Sequence, residues 1–471
     1  MNSTNRQDFF QGLIESRQRG KPTGTCSVCS VHPRVIGAAM TQVQDEDLPL
    51  LIESRADQVN QFGGTCGMQP GGFRDFVFAA ADRIAFPKGR IILGGDRLGP
   101  SAWRSEPAEQ AMQNACDLTA DCVRAGYTKI HLEASLTLKG DPGEEHGGSD
   151  PDLIARRIAR MAAAAERAFR ESDRVGGENT ASPPVYLVGA DIPPRGDRPV
   201  QEGFGAITEA RDFQQILAAC RKAFVEASLE DAWTRVIGAV VQPGVGYGDH
   251  AVFAYDRSKS GDLIAAAKQH SDLIFEATST DYQRPEHLSQ LVEYGVSVLK
   301  VGPALTFAMR ECLFALECIE KEIFGWTYKA RLSQLGMFLD KAMRDNPVHW
   351  QGNFSGSPQD LYLALKYSRL DPSRHYWRVP MVADAVDFLI KNLKQVDIPL
   401  TLISQYLPRH YPEIREGRLT ADPEELIQAS IRMVLEEYSA AACLAPLLGH
   451  LLLLEFQREN SNWAPTSASS F

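Results

Sequence analysis

Several charged side chains interrupt runs that are otherwise apolar and strand-like. In Ile130-His131-Leu132-Glu133 the apolar and polar residues alternate, so His131 and Glu133 share one face of an extended strand. Glu276 sits within Leu273-Ile274-Phe275-Glu276-Ala277, Lys300 within Val298-Leu299-Lys300-Val301, and Glu53 after Leu51-Ile52. Asp96 closes the run ILGGD, and Asp191 closes VGAD. Any one of these can be a structural ion pair, and Glu276 with Lys300 is the natural one. Several ionisable groups at corresponding strand ends point instead to a polar ligand pocket, because burying unpaired charge costs several kcal/mol. In such a pocket Asp96, Glu133, Glu276 and Lys300 are the candidates for acid–base catalysis. Lys300 would serve as a Schiff-base nucleophile if burial lowered its pKa. Glu53 and Asp191 are candidates for substrate contacts.

Three loop features could belong to the same rim. Asn60-Gln61-Phe62-Gly63-Gly64 offers side-chain amides suited to sugar hydroxyls; the alternative is an ordinary turn. Gly302-Pro303-Ala304 leads into a helix, and its backbone amides could hold a phosphate. A helix start with proline explains the same residues. Cys26-Ser27-Val28-Cys29 is a single CxxC inside a strand. Its two thiols would face opposite sides, which is wrong for chelation.

The elements that position these residues alternate along the chain. Strands are expected at Thr25–Ser30, Pro49–Ser54, Arg90–Gly94, Lys129–Ala134, Val185–Ala190, Val236–Val241, Asp272–Ala277 and Val296–Val301. Helical patterns follow most of them, among them Ala108–Ala125, Asp152–Glu171, Asp212–Ala227, Gly261–Gln269, Pro285–Tyr294 and Phe307–Phe324. Eight such repeats predict an α/β fold, a TIM (β/α)8 barrel over residues 20–325, with chemistry at the C-terminal ends of its strands. A doubly wound open sheet would want a glycine-rich phosphate loop after an early strand, and Gly94-Gly95 lacks the third glycine. Residues 326–460 read as a helical C-terminal extension, and 461–471 as a frayed tail. Residues 140–150, 173–183 and 193–205 read as polar, exposed loops.

The chain has 471 residues, 44% hydrophobic and 23% charged, with a net charge of −11. These values suit a globular protein and disfavour nucleic acid or a membrane surface as partner. A local basic pocket for a sugar phosphate stays open, as does homo-oligomerisation. The N-terminal residues lack an apolar leader, and the nine cysteines are scattered, so a reducing, cytoplasmic location is expected. Ala441–Phe456 is apolar but short and interrupted by Pro446, Gly449, His450 and Glu455. It reads as a buried terminal helix or a partner contact.

The segments CSVCSVHPRVI, LIESRADQVNQFGG, ILGGDRLGP, KIHLEAS, VVQPGV, FEATSTDYQ, LKVGPALTFAMRE and DIPLTLISQYLP resemble the accessory, non-catalytic subunit family of class II D-tagatose-1,6-bisphosphate aldolase, over almost the whole chain. The resemblance implies a barrel akin to class II aldolases and a role supporting a zinc-dependent catalytic subunit in galactitol and N-acetylgalactosamine breakdown. Some relatives carry the label tagatose 6-phosphate kinase, and others look like uronate or sugar 4-epimerases. The family pattern implies histidine where this chain has Arg97 and Thr278. With both replaced, His131 and His250 are the remaining candidate metal ligands, and a divalent zinc site is expected to be degraded. Arg97 would instead bind a phosphate or carboxylate. The expected function is therefore that of an aldolase accessory subunit, needed for activity or stability of a catalytic partner. The alternative is a stand-alone ketose-phosphate or uronate 4-epimerase or aldolase. Kinase activity is not expected: Gly246-Tyr247-Gly248-Asp249 only faintly suggests a sugar-kinase anion hole, and no Walker loop is present.

Overall fold

Eight parallel strands close on themselves in the order β1-β10-β9-β6-β5-β4-β3-β2. This computed structural model describes residues 6–44, 48–141, 150–174, 182–189, 205–326 and 331–461. The barrel strands are β1 (Thr25–Val28), β2 (Leu50–Arg55), β3 (Ile91–Leu98), β4 (Lys129–Glu133), β5 (Val185–Gly189), β6 (Val236–Val241), β9 (Ile274–Ala277) and β10 (Val296–Val301). A short antiparallel hairpin, β7 (Gly246–Tyr247) with β8 (Val252–Phe253), is inserted between β6 and β9. The expected (β/α)8 barrel is thus the observed fold, and the run GYGD is a piece of hairpin.

Alternation divides the barrel interior into layers. Leu51, Ile92, Val185, Leu187, Ile237, Val240, Ile274 and Val298 form an apolar lower layer. Two residues further along their strands, the same parity delivers Glu53, Glu276 and Lys300. In β4 the inward set is Lys129, His131 and Glu133. The lower layer is closed from beneath by the helix Arg6–Gln18, whose Phe10, Leu13 and Ile14 pack into it. Arg17 of that helix donates to the carbonyls of His270 and Ala267 at 2.7 and 2.6 Å. The packed unit therefore reaches back beyond residue 20.

Strand β3 runs four residues past its expected end. Its register against β4 shifts between Gly95 and Leu98, where Arg97 adopts φ 50. That bulge aims the Arg97 backbone N–H at the site. Just beyond, Gly99 lets the chain pass under β4, since a Cβ there would lie 1.7 Å from the Glu133 carbonyl oxygen.

Residues 331–461 are helical, with helices at Leu335–Asp345, Pro358–Tyr367, Pro380–Leu393, Leu400–Tyr406 and Pro423–Ser461. The last runs on through the apolar stretch, and its Tyr438, Ala441 and Ala442 are buried. Tyr438 Oη donates to the Thr280 carbonyl at 2.7 Å, tying this helix to the loop after β9. A second tie is Asp371, buried with φ 44, which accepts from Thr306 Oγ1 and Ser373 Oγ, both at 2.5 Å. It fixes residues 368–378 over the barrel's last helix, Pro303–Phe324. No helix among the described residues is long and apolar enough to cross a membrane.

Candidate functional site

Two lysines and three carboxylates meet inside the upper barrel, all nearly inaccessible to water. Lys129 contacts Glu53 and Glu276. Lys300 contacts Asp96 and Glu276 and lies 3.3 Å from Glu53 Oε2. Gly94 pairs with Glu53 and Lys129 on either side, and a Cβ there would meet Glu53 Cγ at 2.8 Å. Its missing side chain is what lets the Glu53 carboxylate lie across the strand to Lys129.

Burial alone would raise the Asp96 carboxyl, but the Lys300 ammonium, the His131 hydrogen bond and Arg97 together hold it well below its ordinary range. Glu276 behaves likewise: burial is outweighed by Lys129 and Lys300, and its pKa falls. Burial pushes Lys300 down, yet Asp96, Glu276 and Glu53 outweigh it and set its pKa well above that of free lysine. Lys300 is therefore a firmly held ammonium. This corrects the expectation of a Schiff-base lysine, which required burial to win.

His131 Nδ1 accepts from the Arg97 backbone N–H at 3.2 Å and lies 3.4 Å from Lys300 Nζ. The same Nδ1 lies 3.2 Å from Asp96 Oδ1, and Glu133 Oε2 stands 4.0 Å from Nε2. Glu133 Oε1 in turn accepts from the Ser135 N–H at 2.7 Å. The Arg97 guanidinium donates to Thr278 Oγ1 at 3.2 Å, and Gln242 Nε2 donates to the same oxygen at 2.8 Å.

Above this cluster lies a cavity of about 230 Å³, many times the ~10–15 Å³ a single water needs. Asp96, Arg97, Thr278 and Lys300 form its inner end. Its wall also carries Arg55, at the end of β2 beside Asp96, and Arg374, His375 and Arg378 from the C-terminal region. Arg55 Nε pairs with Asp57 Oδ1 at 3.0 Å, which holds the guanidinium above its ordinary pKa.

The expected residues divide accordingly. Glu53, Asp96, His131, Glu133, Glu276, Lys300 and Arg97 converge. Gly302 borders the cavity and Ala304 does not line it; both amides already donate to Asp281 Oδ1, each at 2.9 Å. The expected phosphate cradle is occupied by an internal carboxylate, whose pKa burial raises to about 6. Asn60 is absent from the mouth. Its amide donates to the Ala56 carbonyl, and its oxygen accepts from the N–H groups of Phe62 and Gly64, so it shapes its own turn. Gln61 points away and donates to the Asn114 carbonyl at 3.0 Å. His250 is solvent-exposed on the hairpin turn and pairs with Asp249 at 3.1 Å; it cannot join His131 in a metal site. Asp191 lies outside the described residues.

Lys129 is absent from the expected set although it shares the parity of His131 and Glu133. As the first residue of its strand it reads as a solvated end, whereas it is fully buried. The wall arginines Arg374 and Arg378 carry no strand signal, because the C-terminal region supplies them.

Asp96, His131 and Glu276 each offer a ligand atom within 4.8 Å of one another, so the residue types could hold a metal ion. As arranged they do not fit one. Lys300 contacts both carboxylates, and its ammonium already supplies the positive charge a divalent ion would bring. Cys29, with Glu53 and Asp96, forms a second such group, and Lys300 touches both of those carboxylates too.

Fold and cavity together define a TIM barrel with an ionised polar site at its C-terminal face. More particularly, the chain belongs to the GatZ/KbaZ-like family of D-tagatose-1,6-bisphosphate aldolase subunits, whose profile matches residues 10–443. A crystal structure of a probable tagatose 6 phosphate kinase from Sinorhizobium meliloti 1021 shares 39% identity at a TM-score of 0.79, covering 89% of this chain and 100% of that one. The YdjI aldolase from Escherichia coli K12 shares 9% identity at a TM-score of 0.36, covering 82% and 95% of the two chains. The fructose-bisphosphate aldolase from Campylobacter jejuni shares 12% at 0.39, covering 83% and 93%. Likeness of that order says nothing about the site. Family membership gives the chain a tagatose-bisphosphate-aldolase-related role in sugar breakdown.

Proposed function

We propose that this chain is an accessory subunit of a class II D-tagatose-1,6-bisphosphate aldolase, supporting the activity or stability of a separate catalytic subunit. The observation that carries this is the contact between Arg97 and Thr278, 3.2 Å apart. These are the two positions where the family resemblance implies metal-binding histidines. They face each other across one cavity and bring a guanidinium and a hydroxyl in place of two imidazoles. Class II cleavage uses a metal to polarise the carbonyl and stabilise the enediolate. In this reading that metal belongs to the partner. The test is release of triose phosphates from tagatose 1,6-bisphosphate by a class II catalytic subunit, with and without this chain and with and without zinc. The chain alone is expected to release none, and its addition is expected to raise the partner's rate or half-life. Zinc-dependent cleavage by the chain alone overturns the proposal.

A second reading, a stand-alone sugar 4-epimerase, is favoured by one feature: Asp96 and Lys300 are open to the cavity as an ionised pair. There Asp96 would take the C4 hydroxyl proton as the C3–C4 bond breaks to an enediolate and an aldehyde, and the Lys300 ammonium would stabilise the enediolate. Re-addition to the other face of the aldehyde, with the proton returned to the C4 oxygen, would invert C4. Interconversion of tagatose 6-phosphate and its C4 epimer by the chain alone would establish that reading.

A further inference from the structure

The cavity wall carries guanidiniums that no carboxylate among the described residues meets in a salt bridge, although Arg374 lies close enough to Asp281 to act on its carboxyl. Arg374 donates to the Asp371 carbonyl at 3.0 Å and also to that of Leu370. Arg378 donates to the Cys66 carbonyl at 3.2 Å. Those carbonyl contacts hold the two guanidiniums in place without neutralising them, and neither has a carboxylate partner among the described residues. Arg55 stands on the same wall, shared with Asp57. The carboxylates nearest in the cavity are spoken for: Asp96 by Lys300, and Asp281 by two backbone amides.

The cavity's two histidines are uncharged chiefly because they are buried, with the nearby arginines adding to the effect. Burial, with Arg34 and Arg378, drives His32 down to about 3. Burial, with Arg374, His349 and Arg55, drives His375 down to about 2. Both imidazoles stay neutral and add no charge of their own. In a chain of net charge −11, such a wall does not reflect the average surface.

We infer that Arg374 and Arg378, helped by Arg55, form a subsite for the phosphate of a sugar phosphate, built by the C-terminal helical region and not by the loops of the barrel. This rests on the reading of the cavity as the site of an aldolase-related protein. Guanidiniums take phosphate oxygens in pairs, and a dianion suits two unpaired cations better than a carboxylate does. The alternative phosphate cradle at Gly302 and Ala304 is closed by Asp281. The segment carrying both arginines is pinned by the buried Asp371, so the subsite is preformed. A ligand bound there would extend its carbon chain inward to Asp96, Arg97 and Lys300. The helical extension thus becomes a determinant of ligand choice.

The test uses the full chain alone, with calorimetric titration of D-tagatose 6-phosphate, D-tagatose and D-galacturonate. Because no catalytic partner is present, failure of the accessory role leaves the outcome untouched, and the reverse holds. The phosphorylated sugar is expected to bind at least tenfold tighter than D-tagatose. R378Q, on an exposed side chain, should cut that preference about tenfold, R378K should restore part of it, and R374Q should act in the same direction. D-tagatose affinity should not change in any of them. Equal affinity for the two tagatose forms, no binding of either at millimolar concentration, or a preference that survives both R378Q and R374Q overturns the inference. Galacturonate binding as tightly as the phosphorylated sugar overturns the assignment to phosphate.

Discussion

Lys129 is the residue on which the buried cluster depends most directly. It has no exposure and reaches both Glu53 and Glu276. Lys129→Met would keep the volume and remove the charge, leaving Glu53, Asp96 and Glu276 to share Lys300. Breaking a buried pair from one side costs about 3–5 kcal/mol, so the urea midpoint should fall by that equivalent. A loss under about 1 kcal/mol would mean that the carboxylates find another cation. At the inner cavity, Arg97 and Thr278 make the opposite test. The double variant R97H with T278H adds two imidazoles beside Asp96 and His131, and it should bind zinc at least tenfold tighter than the unmodified chain in a calorimetric titration. Tight stoichiometric binding by the unmodified chain would contradict the lost metal site; weak binding by both would move the family's histidine positions elsewhere.

Among the elements, the helix Arg6–Gln18 is the part of the fold with most to lose from a single truncation. Phe10→Ala would open a cavity under the lower barrel layer, at a cost of about 3–5 kcal/mol measured by denaturant unfolding. Its spacing, Phe9, Phe10, Leu13 and Ile14, is already a helical face in the sequence. What the sequence does not carry is its destination, since the surfaces it covers come from strands up to nearly 300 residues away. The barrel strands are legible for a simpler reason. Period-two alternation directly encodes which side chains point inward, so the amino-acid order alone places Glu53, His131, Glu133, Glu276 and Lys300. Residues whose role is set by tertiary docking escape that logic: Arg374 and Arg378 arrive with the C-terminal region, while Asn60 and Gln61 look like ligand groups until their local hydrogen bonds are seen. The bulge at Arg97 is equally hidden, because a left-handed residue other than glycine leaves no compositional mark.

For the molecule as a whole, the buried groups fix how stability follows pH. Asp96 and Glu276 have lowered folded values, so their contribution is present above about pH 4 and is lost as pH falls through those values. Lys300 is raised, so its contribution holds below about pH 10 and is lost only as pH rises through its folded value. Asp281 runs against the other carboxylates. Its folded value of about 6 favours the native state below about pH 4, and that advantage disappears as pH rises through 6. Urea midpoints should therefore decline by the equivalent of about 1–3 kcal/mol between pH 4 and 6 from this residue alone, and Asp281→Asn should flatten that limb. An unchanged limb in the variant would assign the slope to other groups.

The helix beneath the barrel also has a consequence for how the chain is made. It is synthesised long before the surfaces it covers: Arg17 bonds to carbonyls around residue 270 and Phe10 packs against Ile274 and Val298. At about 5–20 residues per second, those partners emerge roughly 10–60 seconds later. For that interval an apolar helix face waits beside an unclosed sheet, so this helix is where the nascent chain is open to aggregation and chaperone capture.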